Sequence, residues 1–119
     1  MSIVEKKPGK MEEVKDENGE QQKILYQVFP EISRRVEYKD FKVEVEISLP
    51  GVRKEDIILK ALPTWFHITG RRGQMEYSAN SAWGAEIVPE KTKAKYENGL
   101  LQILATIRNP MEDAKKLEL

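Results

Sequence analysis

The chain has 119 residues, and its 20 Lys and Arg are matched by 20 Asp and Glu, so the net charge is zero. This length suits a single domain of ordinary size with flanking arms. The balanced charge argues against a dedicated nucleic-acid binder, which carries a basic excess to neutralise phosphates. The absence of cysteine excludes disulfides and zinc–thiolate sites and is compatible with a reducing cytosol.

The sequence shows no targeting or membrane-spanning pattern. No segment approaches the roughly 18 consecutive apolar residues of a membrane span. The N-terminus, Met-Ser-Ile-Val-Glu-Lys-Lys, lacks the apolar core of a signal peptide. We therefore expect a soluble, cytoplasmic protein whose partners include neither nucleic acid nor membrane.

Residues 1–31 are expected to form a polar, largely disordered N-terminal arm. Up to about residue 23 the arm is mostly Lys, Glu, Asp, Gln and Gly, which bury too little apolar surface to offset the entropy lost on ordering. Residues 24–29 differ, because they form an apolar cluster that stops at Pro30. The cluster is either an edge strand or a segment that docks on a partner or on the domain's own surface. Its apolar members are Ile24, Leu25, Tyr26, Val28 and Phe29.

From Ile32 onward apolar residues recur at every second position, which predicts strands with one buried and one wet face. The longest run ends at Pro50-Gly51, and its predicted buried face consists of Phe41, Val43, Val45, Ile47 and Leu49. Further strands are predicted at 32–36, 57–62, 65–69, 82–88, 92–97 and 100–107, with a short helical turn near 53–56 and a polar loop at 71–80.

The last two strands meet at Asn98-Gly99, a pair that tolerates the positive φ angles of a tight type I′ hairpin. Frequent turns and the lack of a helical period predict an all-β fold. We expect an immunoglobulin-like antiparallel β-sandwich of seven to eight strands over residues 32–107, with flexible N- and C-terminal arms. The C-terminal arm is the tail 108–119.

Several short motifs follow one another in a recognisable order: Leu49-Pro50-Gly51-Val52, Lys54-Glu55-Asp56, Ile57-Ile58-Leu59, Ile68-Thr69-Gly70-Arg71, Ala94 and Asn98-Gly99-Leu100. This order resembles the α-crystallin domain of the small heat-shock proteins over residues 32–107. In that family a Leu-Pro-Gly turn closes a long strand, and Asn-Gly-Leu opens the last strand of the domain. Each motif alone is weak, whereas their order is quite specific.

The sequence departs from the family pattern in two places. Microbial members usually carry a longer loop after the Gly-Arg strand, and this loop holds a strand that the subunits of a dimer exchange. Only residues 72–81 are available for it here. An aromatic residue accompanied by Arg usually opens the second half of the domain, whereas Trp83 has no Arg near it in the sequence.

The resemblance implies an ATP-independent holdase chaperone that binds partly unfolded client proteins, self-associates into a dimer or larger oligomer, and uses no cofactor or metal. It implies no enzyme activity. The residues agree, since His67 is the single histidine and has no second His or Cys with which to build a nucleophile–base pair. The alternative is an adaptor or co-chaperone like the CS-domain proteins, which binds a protein partner without forming large oligomers.

The resemblance also names a candidate binding site. Small heat-shock proteins end in a hydrophobic–x–hydrophobic motif, whose two side chains dock in a groove at the sandwich edge of a neighbouring subunit. Leu117-Glu118-Leu119 has this spacing, because residues i and i+2 of an extended chain point the same way; two leucines placed there by chance are the alternative. By the same analogy the groove is lined by Ile57, Leu59, Ala94 and Tyr96. We expect this groove and the cluster 24–29 to contact clients or other subunits.

Overall fold

The computed structural model describes the backbone of residues 12–15 and 21–24 and the whole of residues 26–119. These residues contain ten β-strands and three short 3-10 helices. The strands are β1 (Glu12–Lys15), β2 (Gln21–Ile24), β3 (Tyr26–Val28), β4 (Ile32–Glu37), β5 (Lys42–Ser48), β6 (Ile57–Ala61), β7 (Trp65–Arg72), β8 (Met75–Ala82), β9 (Ile87–Glu97) and β10 (Leu100–Ile107). The 3-10 helices are Tyr38–Asp40, Lys54–Asp56 and Pro110–Asp113.

Eight of these strands form a sandwich of two four-stranded sheets. The first sheet has the order β4-β5-β10-β9 and the second has the order β3-β8-β7-β6. Within the described residues every neighbouring pair is antiparallel except β3 and β8, which run parallel. The predicted immunoglobulin-like β-sandwich of seven to eight strands is therefore confirmed. Strands β1 and β2 pair as a separate hairpin within residues 1–31, where the sequence predicts little regular structure.

The space between the sheets is filled by apolar side chains, because each strand presents alternate residues to it. Strand β5 contributes the predicted positions Val43, Val45 and Ile47, all almost fully buried. The rings of Phe66 and Trp83 pack with their centroids 4.6 Å apart. The Trp83 indole nitrogen donates a hydrogen bond of 2.8 Å to the Leu62 carbonyl oxygen, so this large buried side chain keeps its polar group satisfied.

The turns at Leu49-Pro50-Gly51 and at Asn98-Gly99, on which the family resemblance rests, contact each other in the structure. The Leu49 amide donates to the Gly99 carbonyl oxygen at 2.7 Å, which joins the end of β5 to the β9–β10 hairpin. Asn98 and Gly99 have φ angles of 51° and 80°, as a type I′ turn requires. A Cβ atom at position 99 would lie 3.2 Å from the Cα of Pro50, closer than side chains usually come to a backbone atom, so glycine suits the contact between the two turns.

The prediction of a polar loop at 71–80 is wrong, because most of these residues belong to strands β7 and β8. Strand β7 continues to Arg72, and β8 begins at Met75 after a two-residue turn in which Gly73 has a φ of 60°. Met75 and Ala79 are buried, Tyr77 between them packs partly buried against the core, and Glu76 and Ser78 point away from it. The alternation of apolar and polar residues is weak in this segment of the sequence. One of its inward residues is a small alanine, and Ser, Asn and Glu occupy the neighbouring positions.

Two strand boundaries also differ from the prediction. Phe41, predicted on the buried face of the long strand, is an exposed turn residue with a φ of 50°. The strand predicted at 82–88 is instead the end of β8, a turn around the buried Trp83, and the start of β9, which runs through Pro89. Proline is tolerated there because β9 lies at the edge of its sheet and residues 89–92 bulge opposite Ala105.

Replacement of Gly99 by alanine tests the contact between the turns. We expect Gly99→Ala to lower the free energy of unfolding by about 2–4 kcal/mol, because the new Cβ combines a left-handed backbone with a clash against Pro50. Gly73→Ala is the matched control, since Gly73 also has a positive φ but no atom within 4 Å of a Cβ; its cost should be about 1–2 kcal/mol. Equal losses in urea unfolding of the two variants would contradict the proposed contact.

Candidate partner-binding groove

One side of the sandwich is formed by two edge strands, β6 in one sheet and β9 in the other. The turn that leads from β5 to β6 brings the two strands together. The Val52 side chain lies against Gly70, which pairs with Ile57 at the start of β6, and the Val52 carbonyl oxygen contacts Tyr96 of β9. The gap between these edges is the candidate groove.

All four residues that the sequence assigns to the groove lie on the core-facing sides of these two strands. Ile57 and Leu59 of β6 stand beside the buried positions of β7, and Ala94 and Tyr96 of β9 stand beside the buried Ile103 and Leu101. Ile57, Leu59 and Tyr96 are half-buried, whereas Ala94 is exposed. The sheets therefore leave apolar inner-face atoms uncovered along this side.

Tyr96 fixes the end of the groove where the two turns meet. Its hydroxyl oxygen lies 2.8 Å from the Leu49 carbonyl oxygen and 2.6 Å from the Val52 carbonyl oxygen, and its single proton serves both acceptors. The ring thus spans from the β9 edge to both ends of the Leu-Pro-Gly turn. Burial raises the pKa of the Tyr96 phenol above its usual value, and Tyr77 adds a smaller effect of the same sign.

The rim of the groove carries lysines from both strands. Lys60 of β6 and Lys93 and Lys95 of β9 are exposed, and they point away from the core. Lys95 lies 3.5 Å from Glu97 on the same strand. An acidic side chain at the rim would meet this cationic border within the Debye length of about 8 Å at physiological ionic strength.

The tail is not docked on the domain in the structure. Leu117 and Leu119 are 79% and 122% exposed, and they follow the last 3-10 helix. The Asn109 side chain accepts a hydrogen bond of 3.0 Å from the Met111 amide and so caps that helix. The two leucine side chains of the predicted tail motif are therefore accessible to a partner.

The described part of the apolar cluster 24–29, Tyr26 to Phe29, begins with strand β3, which lies at the other edge of its sheet from β6 of the groove. Ile24 belongs to β2, and its side chain and the whole of Leu25 lie outside the described residues. Tyr26 and Val28 belong to β3, and Tyr26 and Phe29 are exposed. The cluster thus provides an edge strand that docks on its own domain, as the sequence suggested among its alternatives.

The single histidine of the chain lies outside the groove. The Nδ1 atom of His67 lies 2.6 Å from the Asn80 side-chain oxygen on the outer face of the second sheet. No group of three or more His, Cys, Asp or Glu within the described part of the chain is placed to hold a metal ion. None of the helices in that part is long and apolar enough to cross a membrane.

Two contacts were missed by sequence reasoning. Arg34 of β4 donates a hydrogen bond of 2.7 Å to the Ala82 carbonyl oxygen, and the Tyr38 hydroxyl donates one of 3.1 Å to the Gly84 carbonyl oxygen. Arg34 thus places an arginine beside the Trp83 segment, although it is distant in sequence. No local pattern could reveal this pair, because 48 residues separate Arg34 from Ala82.

Solved structures of small heat-shock proteins superpose on this sandwich. Heat shock protein 16.0 from Schizosaccharomyces pombe does so with a TM-score of 0.62 at 22% identity, over 78% of this chain and 76% of its own. A Xylella fastidiosa small heat-shock protein, described as having a distinct high order structure, gives a TM-score of 0.62 at 16% identity, over 78% and 97% of the two chains. The chain has the α-crystallin fold.

A third structure with the α-crystallin fold, hspA from Xanthomonas axonopodis, gives a TM-score of 0.60 at 17% identity, over 69% of this chain and 96% of its own. No family model matches the sequence, and no curated protein matches it significantly. The resemblance predicted from the Leu-Pro-Gly and Asn-Gly-Leu motifs is thus confirmed by the fold.

Removal of the Tyr96 hydroxyl tests how the groove is held. We expect Tyr96→Phe to lower the free energy of unfolding by about 1–2 kcal/mol near pH 7, because the Val52 carbonyl oxygen loses the Tyr96 donor and the Leu49 carbonyl oxygen keeps only the Val52 amide, at 3.2 Å. Since the folded state raises this phenol's pKa, it contributes stability that is present below pH 10 and lost as the pH rises through the raised value. The variant should therefore lose less stability than the wild type above pH 10.

Tyr38→Phe is the matched control, because Tyr38 is exposed and donates one bond to Gly84. We expect it to cost less than about 1 kcal/mol near pH 7. Urea unfolding of the three proteins from pH 7 to pH 11 measures both effects. The assignment fails if Tyr96→Phe and the wild type lose stability in parallel above pH 10.

Proposed function

We propose that the protein is an ATP-independent holdase chaperone of the small heat-shock type, working in the cytoplasm without a cofactor. The observation that carries this proposal is the open side of the sandwich, where the inner-face residues Ile57, Leu59 and Tyr96 are partly exposed and Ala94 is exposed. Such a surface suits extended apolar segments, which alternate their side chains as a strand does. The α-crystallin fold supports the same proposal.

The proposed mechanism is competition for exposed apolar surface. A partly unfolded protein aggregates because its apolar side chains leave water by contacting other chains. A groove that covers such side chains removes them from that reaction without any chemical step. Exposed apolar surface on a folded protein is itself an interaction site, so occupied grooves also keep the chaperone from aggregating.

The partner that fits the groove in the absence of a client is the tail of a second copy of this chain. Leu117 and Leu119 would face the groove, and Glu118 would face the rim, near Lys93 and Lys95. Burial of two leucines gives about 1.5–3 kcal/mol each, from which the cost of ordering the tail must be subtracted. One contact is then roughly millimolar in strength, since 1 mM corresponds to about 4 kcal/mol. Several tails acting together raise this through effective concentration.

A second candidate is a CS-domain-like co-chaperone or adaptor that binds a protein partner without forming large oligomers. One observation favours it: β7 and β8 are joined by the tight turn at Gly73 and Gln74, which leaves no exchanged strand to build the dimer usual for microbial small heat-shock proteins. The two candidates differ in oligomeric state and in protection of clients, and both can be measured.

The double substitution Leu117→Ser/Leu119→Ser tests the tail. We expect it to lower the mass of the assembly, because the two apolar knobs are lost, and to change the suppression of client aggregation. Met111→Ser is the matched control, since Met111 is equally apolar, lies in the same tail and is 73% exposed. Size exclusion with light scattering gives the mass, and turbidity of a heated model client gives the protection.

One result would contradict the holdase proposal, and another would contradict only the tail contact. The first is a wild-type protein that remains monomeric at every concentration and does not slow client aggregation, which is the behaviour expected of the adaptor. The second is a client-protecting assembly whose mass is the same in the wild type and in both tail variants. This result would leave a chaperone but would remove the tail from its assembly.

The charge at Glu118 provides a separate test. We expect Glu118→Lys to weaken association about two- to fivefold at low salt, because a lysine would face the cationic rim. The difference from the wild type should shrink as NaCl rises to 0.5 M, where screening removes most of the effect. Glu112→Lys is the control, as it makes the same charge change within the capped 3-10 helix, away from the two leucines. A loss of the same size in both variants would argue against a specific rim contact.

A further inference from the structure

Strand β3 makes an unusual pairing with the domain. It contributes three residues, Tyr26 to Val28, and it runs parallel to β8, whereas the other pairs in the described residues are antiparallel. Parallel pairing is slightly less stable per residue, and three residues make a short ladder. Tyr26 and Val28 stand beside the inward Met75 and Tyr77, and Gln27 stands beside Glu76 on the outer face.

The side chains of β3 hold it weakly. Tyr26 remains 56% exposed. The Gln27 amide nitrogen donates to a Glu76 carboxylate oxygen, but the buried Gln27 side-chain oxygen has no hydrogen-bond partner in the described part of the chain. A buried acceptor without a donor opposes the docked state. These features describe a strand that can leave its site.

The departure of β3 would leave the rest of the sandwich in place. Pro30, two residues after β3, is fully buried. The Glu31 carbonyl oxygen accepts a hydrogen bond of 3.0 Å from the Ser48 amide, which anchors the chain just before β4. The hinge between β3 and the anchor is therefore Phe29, which is exposed.

The part of the β8 edge that continues beyond β3 lacks the charges and the proline that the edge strands β6 and β9 carry. Strand β9 carries Pro89, a bulge and lysines, and β6 is short and carries Lys60, all of which discourage pairing with another strand. The remaining edge of β8 is Ser-Ala-Asn-Ser-Ala, without charge or proline. Its protection comes from β3 at one end and from the inward-pointing Arg34 on the Ala82 carbonyl oxygen at the other.

We propose that the edge of β8 is a second client-binding site, which β3 occupies as an internal competitor. The inference rests on the holdase function proposed above and names a strand site for it. The occupant is an extended segment of a partly unfolded protein that adds to β8 as β3 does. Its apolar residues replace Tyr26 and Val28 beside Met75 and Tyr77, and its middle residue replaces Gln27 beside Glu76.

The Glu76 carboxylate sets a preference at the middle position. Arg71 of β7 flanks Glu76 on one side, and Gln27 of β3 flanks it on the other. An amide or lysine donor suits the position of Gln27, whereas a carboxylate there would repel Glu76. The site therefore favours apolar–donor–apolar segments and disfavours the tail motif Leu117-Glu118-Leu119, which suits the groove between β6 and β9 better.

The competition is tested with two opposite charge changes at one position of the full chain. The probe is a fluorescent peptide with the sequence of residues 25–29, Leu-Tyr-Gln-Val-Phe. Gln27→Glu loosens β3 and should raise the affinity for the peptide about two- to fivefold, whereas Gln27→Lys tightens β3 and should lower it by a similar factor. The same peptide with Glu in place of Gln should bind every variant more weakly. Equal affinities of the two variants would overturn the proposal.

A reversible lock provides a second test. The chain has no cysteine, so Gln27→Cys/Glu76→Cys introduces one pair at directly facing positions. Oxidation, verified by the loss of free thiols, should abolish binding of the Gln peptide, and reduction should restore it. Peptide binding that is equal in the two redox states would show that the edge of β8 is not the site.

The remaining outcomes separate this site from the general function. If Gln27→Glu dimerises and binds no peptide, the occupant is a second copy of the chain and the assignment of a client is overturned. If the locked protein protects a heated client as well as the reduced protein does, the holdase function stands and the β8 site fails. Peptide binding that follows the lock, in a protein that never protects clients, supports the strand site and overturns the holdase function.

Discussion

The structure depends on the direct contact between two turns. Leu49-Pro50-Gly51 ends the central strand β5, and Asn98-Gly99 joins β9 to β10; the backbones touch because position 99 has no side chain. Tyr96 reinforces the contact by reaching the Leu49 and Val52 carbonyl oxygens. This junction fixes how the edge of one sheet lies over the edge of the other. The groove between β6 and β9 exists because the sheets are joined at this end, while the edge strands remain uncovered along their length.

The two sides of the sandwich differ in what protects their exposed strand edges from pairing with another chain. On the groove side, the exposed edges carry proline, a bulge and lysines, so each strand discourages pairing by its own sequence. On the other side, β8 carries no charge on its open half, and other parts of the chain protect it: β3 covers its first residues, and Arg34 binds the Ala82 carbonyl oxygen. Protection that is part of the strand is permanent, whereas protection by a second segment is reversible. The two sides therefore suit a constitutive contact and a regulated one.

Much of the fold could be predicted because its strongest signals are local. The alternation of Val43, Val45 and Ile47 determines which face of β5 is buried, and Asn98-Gly99 determines the hairpin. Strand β8 was missed because a small alanine is one of its inward residues, so its burial depends on neighbouring strands rather than on its own hydrophobicity. Phe41 was misplaced because a turn displaced a side chain that hydrophobicity alone assigns to the core. The positions of the groove residues follow from strand parity, whereas the parallel docking of β3 arises from contacts 49 residues apart in sequence.

The capped turn at the start of the tail has a geometric consequence for assembly. A contact between the tail of one subunit and the groove of the next is heterologous, so repeated copies form a closed ring or an open filament according to the rotation at each step. That rotation is set where the chain leaves the domain, and there Asn109 caps the 3-10 helix Pro110–Asp113 while Arg108 pairs with Asp113 at 3.1 Å. The four residues of this 3-10 helix would thus help to set the angle between neighbouring subunits of the proposed polymer. In the proposed assembly their geometry would contribute to the direction in which the tail leaves the domain, and so to whether copies close into a ring or extend, although none of them belongs to either proposed contacting surface.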